Sequence, residues 1–357
     1  MAEHGSISMR DTSSARSSRR ELLKAFGGIG IAGIAQALRS PKLFAQDGRT
    51  STAKGGRIDV HHHFYPPGLP PAAGGRNWTP ERSLETMEKF QIAAAVLSMT
   101  QMADILYDKT EAGRRAVRLG NDYGAKVVAD HPKRFGLFAG VPLPDIEGVL
   151  GEIAYAFDVL KADGVSIYTN DNQGRWPGDP YFEPMWQELD RRSAIVFIHQ
   201  LQPPCCSRLN DSVPYSMSEG DFDVTRACTS ILVNGVLHRY PNLKLIVPHS
   251  GGTMPMIAGR IQDRYPHSPQ HDAYIPNGVI VELQKLYFDV AHATFAYPMA
   301  ALMKFADPSH IVFGTEYAAE QVETTVKELP NLGLSPETLR AIERENAERL
   351  LPRFKFV

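Results

Sequence analysis

The chain has 357 residues, of which 43% are hydrophobic and 22% are charged, a composition typical of globular proteins. Its 38 basic and 40 acidic residues give a net charge of -2, and no basic block lies beyond the N-terminal segment, which argues against a nucleic-acid partner. The three cysteines have no spacing that would indicate a disulfide framework.

The first 46 residues differ in character from the rest of the chain. Arg19 and Arg20 precede a short apolar stretch rich in glycine and alanine, over residues 25–35. This arrangement resembles a twin-arginine export signal, with cleavage expected after Ala45. The stretch is too short to span a bilayer, so we expect no permanent membrane anchor and a periplasmic or secreted protein. A plain disordered tail is the alternative. Residues 47–56 are predicted as a linker, and residues 57–357 as a single domain.

Beyond the linker, short apolar runs alternate with segments of helical periodicity. Eight runs are rich in valine, isoleucine and phenylalanine and nearly continuously apolar, as parallel strands buried on both faces should be. The predicted strands are Ile58–Phe64, Ala93–Met99, Phe135–Val141, Gly164–Thr169, Ala194–Gln200, Leu243–Ser250, Leu286–Ala291 and Ile311–Tyr317. The predicted helices include Ala112–Asp130, Ile146–Lys161, Phe182–Arg192, Val224–Arg239 and Pro336–Leu351.

This alternation predicts an α/β fold, a closed (β/α)8 barrel of the TIM type. An open, doubly wound sheet is the alternative, because periodicity alone cannot show closure. Polar residues collect where the predicted strands end: His61, His63, Thr169, Asn170, His199, His249, Asp289, His292 and Glu316. Barrel enzymes assemble their active sites at the C-terminal ends of the strands, so we expect an active site there.

The first strand carries two histidines separated by one residue. Because side chains alternate across a strand, Asp59, His61 and His63 are predicted to share one face, and His62 the other. Neutral imidazoles suit zinc and similar metals, and the alternative is a polar barrel rim without metal. The barrel would place His199 beside the first pair as a third ligand.

His249 is predicted to be a general acid–base catalyst. It ends the sixth strand and precedes Ser250-Gly251-Gly252, where the glycines allow a sharp turn and leave room beside the imidazole. A histidine without a metal bond can titrate near neutral pH, as such a catalyst should.

Several segments in order resemble the amidohydrolase-2 family, which includes aminocarboxymuconate semialdehyde decarboxylase. The opening segment is Ile58-Asp59-Val60-His61-His62-His63-Phe64-Tyr65-Pro66-Pro67. The others are Thr169-Asn170, Gly178–Pro184, Tyr240–Lys244, Pro248–Gly252 and Glu345–Leu350. Together they extend over about residues 57 to 354, and the resemblance implies the metal-dependent hydrolase type of barrel.

The resemblance implies a single metal site. The matching histidine ligands are His61, His63 and His199, and His249 matches the acid–base catalyst that acts on metal-bound water. The last ligand of the family is an aspartate, whereas the corresponding turn here is Gly314-Thr315-Glu316-Tyr317-Ala318. Glutamate still offers a carboxylate oxygen, but its side chain is longer by one C–C bond, about 1.5 Å. We expect one divalent ion, with Zn²⁺ the first choice and Glu316 the fourth ligand; Glu320 is the substitute.

The implied reaction is non-oxidative decarboxylation of an aromatic or conjugated carboxylic acid, with His249 and Glu316 as catalytic candidates. Hydrolysis of a lactone, ester or amide is one alternative, and a metal-free binding protein that lost activity through Glu316 is another. The expected partner is a small-molecule carboxylate. Its candidate contacts are Asn170, Arg175, Arg208 and His292. A homodimer is left open.

Overall fold

The computed structural model describes residues 56–69, 77–99, 108–206, 213–319 and 322–355. The predicted export signal, Arg208 and Glu320 lie outside these ranges. Within them, eight parallel strands form one sheet in the order β1 to β8. The strands are β1 Arg57–His63, β2 Ile92–Ser98, β3 Phe135–Gly140, β4 Gly164–Tyr168, β5 Ile195–His199, β6 Lys244–Val247, β7 Tyr287–Asp289 and β8 Ile311–Val312.

The two ends of this sheet meet. The N–H of Val60 in β1 donates to the carbonyl of Phe313 at 3.0 Å. Beyond β8, the N–H of Glu316 donates to the carbonyl of His61 at 2.8 Å, and His62 and Tyr317 form a parallel bridge. The (β/α)8 barrel is therefore confirmed, and the open sheet is excluded.

Helices follow the strands and cover the outside of the barrel. They are α1 Pro80–Lys89, α2 Glu111–Asp130, α3 Ile146–Tyr155, α4 Glu183–Arg191, α5 Glu219–Val233, α6 Val236–Arg239, α7 Met254–Arg264, α8 Pro269–Tyr274, α9 Val279–Leu283, α10 Ala296–Phe305, α11 Val322–Glu328, α12 Pro336–Arg340 and α13 Asn346–Leu350. Capping side chains set several helix starts, since Thr79, Thr110 and Asp145 accept backbone N–H groups of α1, α2 and α3. Among the described residues, no helix is both long and apolar enough to cross a membrane.

Some predicted elements are shorter or divided in the structure. The predicted helix Val224–Arg239 begins earlier, at Glu219, and breaks at Gly235, whose φ is +69°. The sixth predicted strand stops at Val247, because the next residues leave extended geometry: His249 has φ +53° and Ser250 has φ +55°. The residues that follow, Pro248-His249-Ser250, turn the backbone to form the site.

The N-terminal end of the barrel is filled by apolar side chains. Ile58, Val60 and Phe197 belong to a buried cluster that also includes Leu351 and Phe354 from the C-terminal segment. Each fully buried side chain of this size stabilises the fold by roughly 1.5–3 kcal/mol. The polar side chains of the predicted site lie at the opposite, C-terminal end of the barrel.

Candidate metal centre and active site

Three imidazoles and one carboxylate meet at the C-terminal end of the barrel. The ring centroids of His61 and His63 are 5.0 Å apart, and those rings lie 5.1 and 4.8 Å from the ring of His199. One ligand atom from each histidine and one from Glu316 lie within 4.8 Å of one another, and all four residues are buried. The structure thus brings together the four residues that the sequence predicted as metal ligands.

A hydrogen bond to Nδ1 orients each imidazole. The Nδ1 of His61 lies 2.8 Å from Oδ2 of Asp289, and that of His199 lies 2.8 Å from the carbonyl of Gln200. The Nδ1 of His63 lies 3.1 Å from Oγ of Ser98. Metal-binding histidines are usually held in this way, with the second nitrogen as the ligand. We therefore expect Nε2 of each ring to face the centre.

The donor set fits a divalent cation. The Nε2 atoms of His61 and His199 are buried and make no hydrogen bond among the described residues, which is costly unless another group satisfies them. Burial lowers the pKa of His61 and of His63 well below the ordinary value, and neighbouring imidazoles lower both further. The rings of His61 and His63 are therefore neutral and carry the lone pairs that a metal needs.

Glu316 lies between the three imidazoles and a second histidine pair. Its Oε1 is 3.3 Å from Nε2 of His199 and 4.0 Å from Nε2 of His61. Although burial acts to raise the pKa of Glu316, His249, His199 and His292 lower it well below the usual range. The carboxylate is ionised and reaches the cluster despite its extra methylene.

Asp59 fixes the loop that carries Glu316. Its carboxylate accepts the N–H of Thr315 at 3.1 Å and the hydroxyl of Thr315 at 2.6 Å. It also contacts Nδ1 of His62 at 3.0 Å. The register between β1 and β2 shifts over Asp59 to His62, which interrupts the expected alternation. Asp59 therefore lies outside the group of ligand atoms, although the alternation predicted it on the same face as His61 and His63.

His249 stands beside the cluster with a carboxylate at each ring nitrogen. Its Nδ1 lies 2.9 Å from Oδ1 of Asp221, and its Nε2 lies 3.0 Å from Oε2 of Glu316. Its ring stacks on that of His61, with centroids 5.7 Å apart. Burial disfavours the charged ring, but Glu316 and Asp221 outweigh it and raise the pKa of His249 well above its ordinary value. His249 can therefore hold a proton at Nε2.

The glycines after His249 are required by close contacts. A Cβ on Gly252 would lie 2.2 Å from the carbonyl oxygen of Asp221, and one on Gly251 would lie 2.9 Å from the ring of Phe288. Both residues also have positive φ. The turn thus packs against the residue that holds Nδ1 of His249.

The candidate substrate contacts differ in their surroundings. His292 lies at the site, with Nε2 2.7 Å from Oε2 of Glu316 and its side chain 39% exposed. Arg175 donates from Nε to Asp171 at 2.6 Å, and Asn170 donates to Asp223 at 2.7 Å. The polar groups of these two residues already contact carboxylates of the protein, that of Asp171 in the loop after β4 and that of Asp223 in α5, and their contact with substrate stays a prediction. Arg208 lies outside the described residues.

The sequence interpretation assigned no role to Asp289 and did not single out Asp221. Asp289 was noted at a strand end, and its inward position at the end of β7 was the available signal. Besides holding His61, it accepts the N–H groups of His249 and Ala291, each at 3.0 Å. Asp221 lies in the first turn of α5, where no strand pattern points to it.

The chain is similar to known proteins in both sequence and structure. The sequence profile of the amidohydrolase family matches residues 58–353. A 6-methylsalicylic acid decarboxylase from Penicillium expansum is 33% identical over 315 residues, which cover 84% of this chain and 97% of that protein. The structure of a 2,6-dihydroxybenzoate decarboxylase from Rhizobium is 20% identical, with a TM-score of 0.73 over 85% of this chain and 99% of that one. A manganese-bound dihydroxybenzoic acid decarboxylase from Polaromonas is also 20% identical, with a TM-score of 0.73 over 85% of this chain and 97% of that one. The two structural likenesses show the fold.

Proposed function

The chain belongs to the amidohydrolase family, and on that premise we propose that it is a metal-dependent, non-oxidative decarboxylase of an aromatic carboxylic acid. The observation that carries the proposal is the 33% identity to a 6-methylsalicylic acid decarboxylase, of which the alignment covers 97%. The named substrates of that enzyme and of the Rhizobium enzyme both carry a hydroxyl group next to the carboxylate. We therefore propose a 2-hydroxybenzoate as the substrate class.

The proposed metal site consists of His61, His63, His199 and Glu316. A divalent ion bound there would supply positive charge that polarises a substrate oxygen. The buried Nε2 atoms of His61 and His199 support one such ion. Three imidazoles and a carboxylate suit both zinc, the first choice from the sequence, and manganese, which the Polaromonas enzyme binds. We propose one ion and leave the choice between the two to reconstitution.

In this account His249 supplies the proton. Decarboxylation replaces the carboxylate on a ring carbon by hydrogen: that carbon gains a proton, the C–C bond breaks, and its electron pair returns to the ring as carbon dioxide leaves. A neighbouring hydroxyl group donates electron density to the same carbon and makes its protonation easier. Asp221 holds Nδ1 of His249 at 2.9 Å, so that Nε2 is the nitrogen that faces the site. General acids of this kind typically contribute about 10²- to 10⁴-fold in rate.

The test uses the full chain, stripped with a chelator and then reconstituted separately with Mn²⁺ and with Zn²⁺. Carbon dioxide release is measured from 6-methylsalicylate and 2,6-dihydroxybenzoate, in parallel with hydrolysis of an aryl ester and a lactone. We expect release from at least one acid, with metal present and not without it, and no hydrolysis. Hydrolysis without release of carbon dioxide would support the hydrolase alternative. Absence of bound metal after reconstitution would support the binding-protein alternative.

We also propose that residues 1–46 direct export through the twin-arginine route, because paired arginines precede a weak apolar stretch. Replacing Arg19 and Arg20 by lysine should retain the protein in the cytoplasm, which cell fractionation would show. Export that is unaffected by this change would contradict the proposal.

A further inference from the structure

The two oxygens of the Glu316 carboxylate face different groups. Oε1 faces the proposed metal ligands, 3.3 Å from Nε2 of His199 and 4.0 Å from Nε2 of His61. Oε2 faces away from them, 3.0 Å from Nε2 of His249 and 2.7 Å from Nε2 of His292. The shortest of these four contacts is therefore made by a residue outside the ligand set.

The carboxylate of Glu316 and the two histidines at its Oε2 belong to residues with left-handed backbone. Glu316, His249 and His292 have φ values of +58°, +53° and +52°, in the left-handed region that side-chain-bearing residues seldom adopt. Such conformations are strained and tend to occur where a site requires them. Here the left-handed turns after β6, β7 and β8 direct two imidazoles onto one carboxylate oxygen.

We propose that His292 is a positioning residue for Glu316: by holding Oε2, it directs Oε1 of the longer side chain at the metal site. Glutamate has one more rotatable bond than aspartate and must lose more conformational freedom to act as a ligand. A hydrogen bond to the oxygen that does not bind metal restricts that rotation. The inference rests on the proposed metal site, and it does not depend on which reaction the site catalyses.

The proposal implies that His292 and the length of residue 316 depend on each other. In Glu316→Asp the carboxylate is drawn back by about one C–C bond, roughly 1.5 Å, out of hydrogen-bond reach of His292. Aspartate tolerates left-handed backbone comparatively well, so this change suits the local φ. Loss of His292 should therefore matter with glutamate at position 316 and should not matter with aspartate there.

The experiment measures Mn²⁺ affinity and stoichiometry by calorimetric titration of the full, metal-stripped chain. The proteins are wild type, His292→Ala, Glu316→Asp, the double variant, and His292→Gln, whose amide N–H can replace the imidazole donor. His267→Ala is the matched control, because His267 also contacts a carboxylate at 2.8 Å, that of Asp272, on an exposed segment away from the site. Circular dichroism checks that each variant is folded.

We expect His292→Ala to weaken Mn²⁺ binding about tenfold, in line with the loss of groups that orient metal ligands. His292→Gln should recover most of the affinity, and His267→Ala should leave it unchanged. In the Glu316→Asp background, His292→Ala should change affinity by less than about twofold. Because no substrate is present, failure of decarboxylation would leave these expectations intact.

Three results would overturn the proposal. The first is unchanged Mn²⁺ affinity in His292→Ala. The second is an equal tenfold loss in both backgrounds, which would show that His292 does not act through the longer carboxylate. The third is binding of two ions by the wild type and one by His292→Ala, since His249, His292 and Glu316 would then form a second metal site.

Discussion

Asp289→Asn tests whether the orientation of His61 determines metal binding. The change is nearly isosteric, and the asparagine carbonyl can still accept the two N–H groups that Oδ1 accepts, those of His249 and Ala291. The other side-chain atom becomes an amide donor, 2.8 Å from Nδ1 of His61 in the present geometry. That donor favours the tautomer in which Nδ1 is bare and Nε2 carries the proton. A protonated Nε2 cannot bind a metal.

Mn²⁺ affinity of Asp289→Asn should fall about 10- to 100-fold, equivalent to about 1.4–2.7 kcal/mol. The free energy of unfolding of the metal-free protein should change by less than this free energy of metal binding. Burial raises the pKa of Asp289 to about 6, so its charge is costly in the fold, and the neutral amide removes that cost. The hydrogen bond between the two side chains is kept, with the amide now donating to Nδ1 of His61, so no loss of about 0.5–1.5 kcal/mol is expected from it.

Calorimetric titration with Mn²⁺ and urea unfolding measure the two quantities separately. The matched control is Asp163→Asn, because Asp163 is also largely buried and accepts a backbone N–H, that of Leu137 at 2.9 Å, before β4. Asp163 also pairs with Arg353 at 3.0 Å, so the control is compared on metal affinity alone, and it should keep full Mn²⁺ affinity. If Asp289→Asn binds Mn²⁺ as tightly as the wild type, the reasoning about His61 is refuted.

Three further changes test, in turn, the metal ligands, the proposed acid–base catalyst and a buried ion pair of the barrel. Replacing His61 and His63 together by alanine should abolish metal content and activity, and full metal occupancy by elemental analysis would show that the ligands lie elsewhere. His249→Ala should keep its metal while kcat falls about 10²- to 10⁴-fold, whereas isolation without metal would make His249 a ligand. Glu343→Ala leaves Arg57 buried without the carboxylate that lies 2.7 Å from its Nη2, and should lower the free energy of unfolding by about 3–5 kcal/mol in urea titration. A loss below about 1 kcal/mol would show that other groups satisfy Arg57.

Most of the fold could be predicted from the sequence, because buried parallel strands leave nearly continuous apolar runs. The first five predicted strands match the structure within one or two residues, as Phe135–Gly140 illustrates. Strand ends were harder to place. The predicted strand Ile311–Tyr317 ends at Val312 in the structure, since the residues after it bond to β1 and bend toward the site.

The site was predictable where a ligand-type residue follows an apolar strand, as with His199. The residues that orient the ligands left weaker signals. Asp221 lies in the first turn of α5, and its contact with His249 joins residues 28 positions apart. The 2.7 Å contact between His292 and Glu316 joins two residues with left-handed backbone, which local sequence does not reveal. Such contacts are set by tertiary structure.

The most direct test of the central claim follows the carboxyl carbon and the replacing proton together. Carboxyl-labelled 6-methylsalicylate or 2,6-dihydroxybenzoate is incubated in heavy water with the metal-loaded protein and, separately, with its His249→Ala variant. We expect labelled carbon dioxide and one deuterium on the ring carbon that carried the carboxylate, with both formed much more slowly by the variant. Intact labelled acid with the metal-loaded wild type, or equal rates in the two proteins, would contradict it.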